Sequence, residues 1–176
     1  MYEGKRFAAG EIGYWVTDPV NTKVKREEVG PLESIIAVPA ILKRLRADVR
    51  NGEKTYLENL ACGNPDKINL DLFKKAIAQE DLYCINVLDE IAKYLGWVIA
   101  TICIFLDLEL VIIGGKIISL DDYFLEPLKA TVDRLTPLQT NVVFSKLGNR
   151  SGIYGCFAVA LEYVFTHLYD PKLRNQ

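Results

Sequence analysis

Two carboxylates stand in settings that suit them to bind a polyol. Glu11 lies in Ala-Gly-Glu-Ile-Gly, where an apolar and aromatic run begins between glycines, and Glu33 follows Gly30-Pro31-Leu32 at the start of a helical stretch. A carboxylate accepts hydrogen bonds from neighbouring hydroxyls, which is how a site grips a sugar diol. Each residue also admits a plainer role. Glu11 can be an exposed turn residue, and Glu33 can complement the helix dipole from the first turn. A third feature is the run Leu110-Val111-Ile112-Ile113, which ends in Gly114-Gly115. Two glycines at the carboxyl edge of a strand let a backbone approach a nucleotide closely, and they serve a tight strand-to-loop turn equally well. The chain holds no Walker A sequence, no G-x-G-x-x-G, no nucleophile elbow and no paired general acid and base.

The elements that must position these residues follow from periodicity. Glu11 to Thr17 is rich in Ile, Tyr, Trp, Val and Thr and predicts a strand, with a polar loop from Asp18 to Gly30. Ile35, Val38, Leu42, Leu45 and Val49 recur at helical steps, and Pro39 among them predicts two short helices or a kink. The bases between Lys43 and Lys54, interrupted by Asp48 and Glu53, predict a solvated helix face. Asn51 to Lys67 predicts a connection. Asn69 is placed to cap a helix over Leu70 to Gln79, and a long helix follows from about Asp81 to Phe105. The second half of that helix is apolar nearly all round, which predicts burial between layers. Leu110 to Ile113 predicts a buried strand, Asp121 to Leu135 a helix, and Asn141 to Phe144 a second strand. Gly148 to Gly155 predicts a glycine-spaced turn before a last helix ending near Tyr169. The order strand, helices, strand, helix, strand, helix is α/β, a small sheet covered by helices.

Bulk properties narrow the classes. At 176 residues, half of them hydrophobic, the chain has the size and composition of one folded domain. A net charge of −2 gives no general attraction to nucleic acid or to an anionic membrane. The start Met1-Tyr2-Glu3-Gly4-Lys5 lacks a signal-peptide pattern, and the apolar run Leu95 to Leu106 is too short to span a bilayer. Cys62, Cys84, Cys103 and Cys156 stand far apart, which predicts buried free thiols in a reducing cytoplasm rather than disulfides or a metal site. The single histidine, His167, has no cysteine or carboxylate cluster beside it to share a metal.

Taken in order, the motifs resemble those of the repressor, open reading frame, kinase (ROK) family. Ala9 to Tyr14 resembles its A-G-E-[IL]-G-H, and Gly30-Pro31-Leu32-Glu33 with Pro39-Ala40-Ile41 resembles G-C-L-E…G-P-A-I. Asp107 to Gly115 resembles D-P-E-x-[IV]-[IV]-[IVL]-G-G, and Leu147-Gly148 to Gly155-Cys156 resembles L-G-x-x-[AS]-G-x-x-G-A. The resemblance implies the carboxy-terminal lobe of an actin-like, ribonuclease H-like ATPase fold over residues 1–176. It implies that Glu11, Tyr14 and Glu33 bind a hexose or hexose derivative, and that Gly114, Gly115 and Gly148 face a nucleotide in kinase members. Two departures stand out: Tyr14 replaces the family's histidine, and no cysteine occurs from Asn21 to Gly30, where the family's zinc cluster belongs. The expectation is therefore a chain without zinc, with ATP and magnesium entering only if the parent protein is a kinase.

The family's D-x-G-G-T turn and catalytic aspartate are also not in the chain, which reads as a fragment that does not phosphorylate a sugar by itself. Three readings follow from the resemblance: the sugar-sensing domain of a transcriptional regulator, half of a hexose or N-acetylhexosamine kinase, or an oligomerisation lobe with no ligand. The protein is expected to be a cytoplasmic homo-oligomer, with no nucleic-acid contact from this chain.

Overall fold

The computed structural model describes residues 4–6, 8–17 and 29–168. Its helices are α1 (Glu33–Ile36), α2 (Val38–Arg50), α3 (Tyr56–Leu60), α4 (Leu70–Ala78), α5 (Leu82–Leu106), α6 (Asp122–Leu135) and α7 (Ser151–Leu168). Two strands, β1 (Leu110–Ile113) and β2 (Asn141–Phe144), pair in parallel with Leu110 opposite Asn141 and Ile113 opposite Phe144. Because parallel neighbours need a crossover, α6 joins them as one β-α-β unit. The Thr140 hydroxyl donates to the Leu108 carbonyl at 2.9 Å and clips the register at its entrance. Val111 and Ile113 on β1 lie beside Val142 and Phe144 on β2, and all four pack against one core. That core is built on α5, whose Val87, Leu88, Ile91 and Ala92 are buried together with Phe124, Leu128 and Val132 of α6. The two helices approach closely at Gly96, where a β-carbon would stand 2.7 Å from Thr131 Cγ2.

Several expectations hold because their causes are local. The chain breaks at Ala37, and Pro39 stands in the first turn of α2, where its missing N–H costs nothing. The Asn69 side chain accepts from the Leu72 amide at 3.0 Å and caps α4. Both strands and α6 lie where the sequence puts them. Cys84 and Cys103 are buried free thiols.

Other expectations are corrected. The predicted strand from Glu11 to Thr17 is instead a 3-10 turn at Ile12–Tyr14, closed by the Trp15 amide on the Ile12 carbonyl at 2.9 Å. β-branched and aromatic residues favour strands only where a partner strand receives them. The predicted connection from Asn51 to Lys67 contains α3 and a 3-10 turn at Pro65–Lys67, each started by a side-chain cap, Thr55 and Asn64. The glycine-spaced turn spans only Gly148–Arg150, and Gly152 and Gly155 lie inside α7. The face from Lys43 to Lys54 is solvated as expected, with Lys43, Arg50 and Lys54 exposed, but three of its bases also reach across to other elements. Arg44 bonds Glu90 of α5 at 2.8 Å, Arg46 donates to the Ile68 carbonyl at 2.7 Å, and Arg50 pairs with Asp66. Cys62 and Cys156 are exposed, not buried.

Burial is also narrower than the apolar pattern suggests. The end of α5 leaves Phe105 85 % exposed, and β1 leaves Ile112 60 % exposed on the face away from the core. α7 exposes Phe157, Val159, Leu161 and Phe165 along its length. Among the described residues no helix is long and apolar enough to cross a membrane. The predicted loop from Asp18 to Gly30, with the segment where the family's zinc cluster would fall, lies outside the described residues except for Val29 and Gly30.

Candidate functional site

The turn that carries Glu11 is seated by a backbone contact on the segment that leads to Glu33. Gly30 packs against the Glu11–Tyr14 turn so closely that a β-carbon on it would stand 2.1 Å from the Gly13 carbonyl oxygen. The same β-carbon would stand 2.7 Å from the Tyr14 amide nitrogen. Only glycine permits this approach. Gly13 in turn lies beside Glu33, since its own β-carbon would stand 3.4 Å from Glu33 Oε2. The segment from Gly30 to Ser34 carries the joint. Gly30 accepts from the Ser34 amide at 2.9 Å, the Ser34 hydroxyl donates to Pro31 at 2.7 Å, and Leu32 is fully buried beneath. Glu33 therefore starts α1 on a fixed base, with its carboxylate exposed.

Glu33 opens onto a cavity of about 380 Å³, a size suited to a small ligand. Its apolar wall comes from Ile36 and Val38 at the α1–α2 break, Leu95 of α5, Ile113 of β1 and Phe124 of α6. Its far side is the turn after β1, with Gly114, Lys116 and Ile117. A second cavity of about 520 Å³ shares Glu33 and Ala37 with the first and runs along α2 past Pro39, Lys43 and Arg44. The first is the candidate site, because it joins the carboxylate at the start of α1 to the carboxyl edge of the sheet, where α/β folds hold ligands.

The predicted site residues divide accordingly. Glu33 and Gly114 line the cavity; Glu11 and Tyr14 do not, and occupy the exposed turn whose Gly13 does. Gly115 and Gly148 do not line it. Both have left-handed backbones, with φ of 84° and 55°, and they begin the 3-10 turns that follow β1 and β2. Those turns pack on one another, so the three glycines predicted to face a nucleotide gather at one sheet edge. The space beside each of them is open, so an added β-carbon would meet nothing within 4 Å. Sequence reasoning missed Lys116 and the apolar wall. Lys116 carried one faint signal, a base placed directly after Gly-Gly, whereas Leu95 and Phe124 carried none beyond their helical period.

Elsewhere the polar groups are structural. Asp81 caps α5 and ties it to α3, accepting from the Cys84 amide at 2.8 Å, the Thr55 hydroxyl at 2.8 Å and the Tyr56 amide. Burial alone would raise its pKa, but these hydrogen bonds outweigh it and hold the carboxyl below its ordinary value. Burial pushes the Cys84 thiol up to about 12. The hydrogen bond that Arg44 donates to Glu90 raises the guanidinium pKa further, against the opposing effect of its own burial. Among the described residues no three His, Cys, Asp or Glu side chains gather to hold a metal.

The comparisons with known proteins converge. The family model described as the ROK family matches residues 1–163. A putative xylose repressor from Caldicellulosiruptor sp. (strain Rt8B.4) is 26 % identical over 167 residues, covering 92 % of this chain and 41 % of the relative. The glucokinase of Thermotoga maritima is 26 % identical over 168 residues, covering 93 % of this chain and 53 % of the relative. Among solved structures, a ROK family glucokinase from Streptomyces griseus, in complex with glucose and AMPPNP, superposes with a TM-score of 0.61 at 20 % identity. That superposition covers 69 % of this chain and 41 % of the other. The chain thus spans about half the length of the curated relatives it matches.

Proposed function

This chain belongs to the ROK family, and on that premise we propose that it is a sugar-binding lobe whose ligand occupies the cavity between Glu33 and Gly114. Its fold is a lobe of the actin-like ATPase type, a small parallel sheet covered by helices. The observation that carries the reading is that one cavity joins the family's two motif regions. One is the carboxylate of Gly30-Pro31-Leu32-Glu33, and the other is the Gly114-Gly115 turn. The Glu33 carboxylate makes no hydrogen bond or ion pair to any described residue, so both its oxygens can meet ligand hydroxyls. Glu11 lies outside the cavity lining, on the turn seated against Glu33 through Gly13, from which it would approach the sugar end of the ligand.

Within the family, the whole protein is a sugar-responsive transcriptional regulator that acts in the cytoplasm as a homo-oligomer, and this chain is its carboxy-terminal sensing lobe, free of zinc. Two features support a regulator. Tyr14 stands in place of the family's histidine, and the zinc-cluster cysteines are absent from Asn21 to Gly30. The kinase reading is favoured by one separate feature, the gathering of Gly114, Gly115 and Gly148 at the sheet edge.

Calorimetry on the full-length protein with a panel of pentoses, hexoses and N-acetylhexosamines tests the sugar site. Losing a charge-assisted hydrogen bond costs about 1.5–3 kcal/mol, so Glu33→Gln or Glu11→Gln should weaken binding roughly ten- to a hundred-fold without unfolding the protein. Tyr14→Phe should cost less. A sugar that binds both variants as tightly as the parent would remove the site. An ATP-coupled assay on the same protein separates the two readings: binding without turnover is the regulator's result, and turnover that depends on sugar is the kinase's.

A further inference from the structure

One backbone position beside the cavity holds a side chain where glycine would be at ease. Asp121 joins the 3-10 turn Lys116–Leu120 to α6, and its φ of 50° comes with a ψ of −143°. Glycine adopts that combination freely, whereas a residue with a β-carbon is strained in it. Asp107, also at positive φ, has a ψ of 55°, the left-handed turn that aspartate tolerates at a helix end. Asp121 is unusual in a second respect. An aspartate that starts a helix ordinarily accepts from an amide of the first turn, and the Asp121 side chain makes no such bond to α6. Its carboxylate pairs instead with Lys74 of α4.

The surroundings fix this joint from both sides. Leu120 before it and Phe124 after it are fully buried. The Asp121 amide donates to the Ile118 carbonyl at 3.1 Å, and its carbonyl accepts from the Phe124 and Leu125 amides, each at 3.1 Å. Residues on both sides of the joint line the cavity, Ile117 from the turn and Phe124 from α6. α4 contributes nothing to that lining, so Lys74 acts from outside. The Asp121 side chain is 64 % exposed, and an ion pair in that setting adds little stability. A glycine would fit this backbone without strain, so what aspartate adds is the tie to α4. α4 packs on the same turn and is itself seated in the core by Phe73, Ala76 and Ile77, which makes it a firm anchor.

We propose that Asp121 is a positioning residue, latched by Lys74, which sets the angle between the turn after β1 and α6 and so the cavity wall at Ile117 and Phe124. The pair touches no ligand. The proposal rests on the reading of the cavity as a sugar site and adds to it the device that keeps the binding-competent shape populated. A wall held in one arrangement leaves nearly every molecule competent, and a wall that moves lowers the apparent affinity by the competent fraction.

The test sets calorimetry with xylose, glucose and N-acetylglucosamine beside thermal melts and amide hydrogen exchange, all on the full-length protein. Asp121→Gly should leave Tm within about 3 °C of the parent, because relief of strain offsets the lost pair and the freer unfolded chain. The same variant should bind sugar about three- to tenfold more weakly and exchange faster from Lys116 to Phe124. Asp121→Asn, which keeps an acceptor for Lys74, and Lys74→Arg should bind within about twofold of the parent. Lys74→Met should weaken binding as Asp121→Gly does, and the double variant no further than either single one, since both open one latch. Parent-like binding by Asp121→Gly, with Glu33→Gln still weakened, overturns the latch and leaves the sugar site standing. Losses of binding that follow losses of Tm across the series assign the pair to stability alone and overturn it too, as do additive losses in the double variant. If none of the three sugars binds the parent, the sugar reading fails and exchange decides the latch by itself. Faster exchange from Lys116 to Phe124 in both Asp121→Gly and Lys74→Met then supports it, and unchanged exchange in either overturns it.

Discussion

Replacing Gly30 by alanine puts a methyl group where the structure has a carbonyl oxygen. The new β-carbon would stand 2.1 Å from Gly13 O, against roughly 3.3 Å for a close carbon–oxygen contact, so something must move by about 1.2 Å. Two movements can relieve the overlap. The Gly30–Leu32 segment can retreat, but Leu32 is fully buried and the Gly30 carbonyl holds the Ser34 amide at 2.9 Å, so retreat disturbs the core. Alternatively the Glu11–Tyr14 turn can lift, and that turn is exposed, with Tyr14 half in solvent. Overpacking in a rigid interior costs about 1–3 kcal/mol, and relief through a surface turn should fall at or below the low end of that range. The expected result is a split. Gly30→Ala should lower Tm by no more than about 4 °C, yet weaken sugar binding at least tenfold, because the lifted turn carries Glu11 and Gly13 away from Glu33. Gly13→Ala, whose β-carbon meets Glu33 at 3.3 Å, should show a smaller effect of the same kind. Thermal melts and calorimetry on the full-length protein read both quantities. If Gly30→Ala binds sugar as the parent does, the glycine contact is not what assembles the site. If it unfolds the protein instead, the relief runs through Leu32 and the reasoning about the turn is wrong.

Two further outcomes bear on the frame of the site. Asp81→Asn removes the charge that receives the Thr55 hydroxyl and the Tyr56 and Cys84 amides, and should cost about 1.5–3 kcal/mol in chemical denaturation. Because the folded carboxyl lies below its unfolded value, its contribution is full above the unfolded pKa of about 3.9 and is lost as pH falls through the folded one. The stability gap between parent and variant should therefore be constant near neutrality and close in acid; a gap that widens in acid would contradict the assignment. For the cysteines, a thiol reagent at pH 8 should label Cys62 and Cys156 rapidly in the native protein and reach Cys84 only on unfolding, since burial holds that thiol near 12. Rapid native labelling of Cys84, located by mass spectrometry, would show that α5 opens where the structure has it closed.

What the sequence disclosed about this molecule was whatever a few neighbouring residues decide. Asn69 before an apolar stripe, Pro39 within one, and Leu110 to Ile113 before two glycines each act within a turn of chain, and the helices and strands lie there. The Glu11–Thr17 run departs from its strand-like composition because a strand is a property of pairs, and the intrinsic preference of Ile, Tyr and Val is small beside the contact that folds them into a turn on Gly30. The apolar second half of α5 was half misread for a related reason. A pattern states which side chains gain by leaving water and is silent on what covers them, so Ile99 is buried in one core with α6 while Phe105 is exposed.

The site divides along the same line. Glu33 was legible as a carboxylate at a helix start, but its partners come from far along the chain. Leu95 closes the cavity from α5, and Gly114 and Lys116 close it from the turn after β1. No spacing in the sequence links them; the parallel β1–β2 pair and the packing of α5 on α6 do, by fixing where the sheet's carboxyl edge meets α1. The chemistry is therefore carried by two kinds of residue with different visibility. Charged groups announce what they can bind, while glycines and apolar walls decide whether they meet, and Leu95 or Phe124 acquires a meaning only when Glu33 is found across the same cavity.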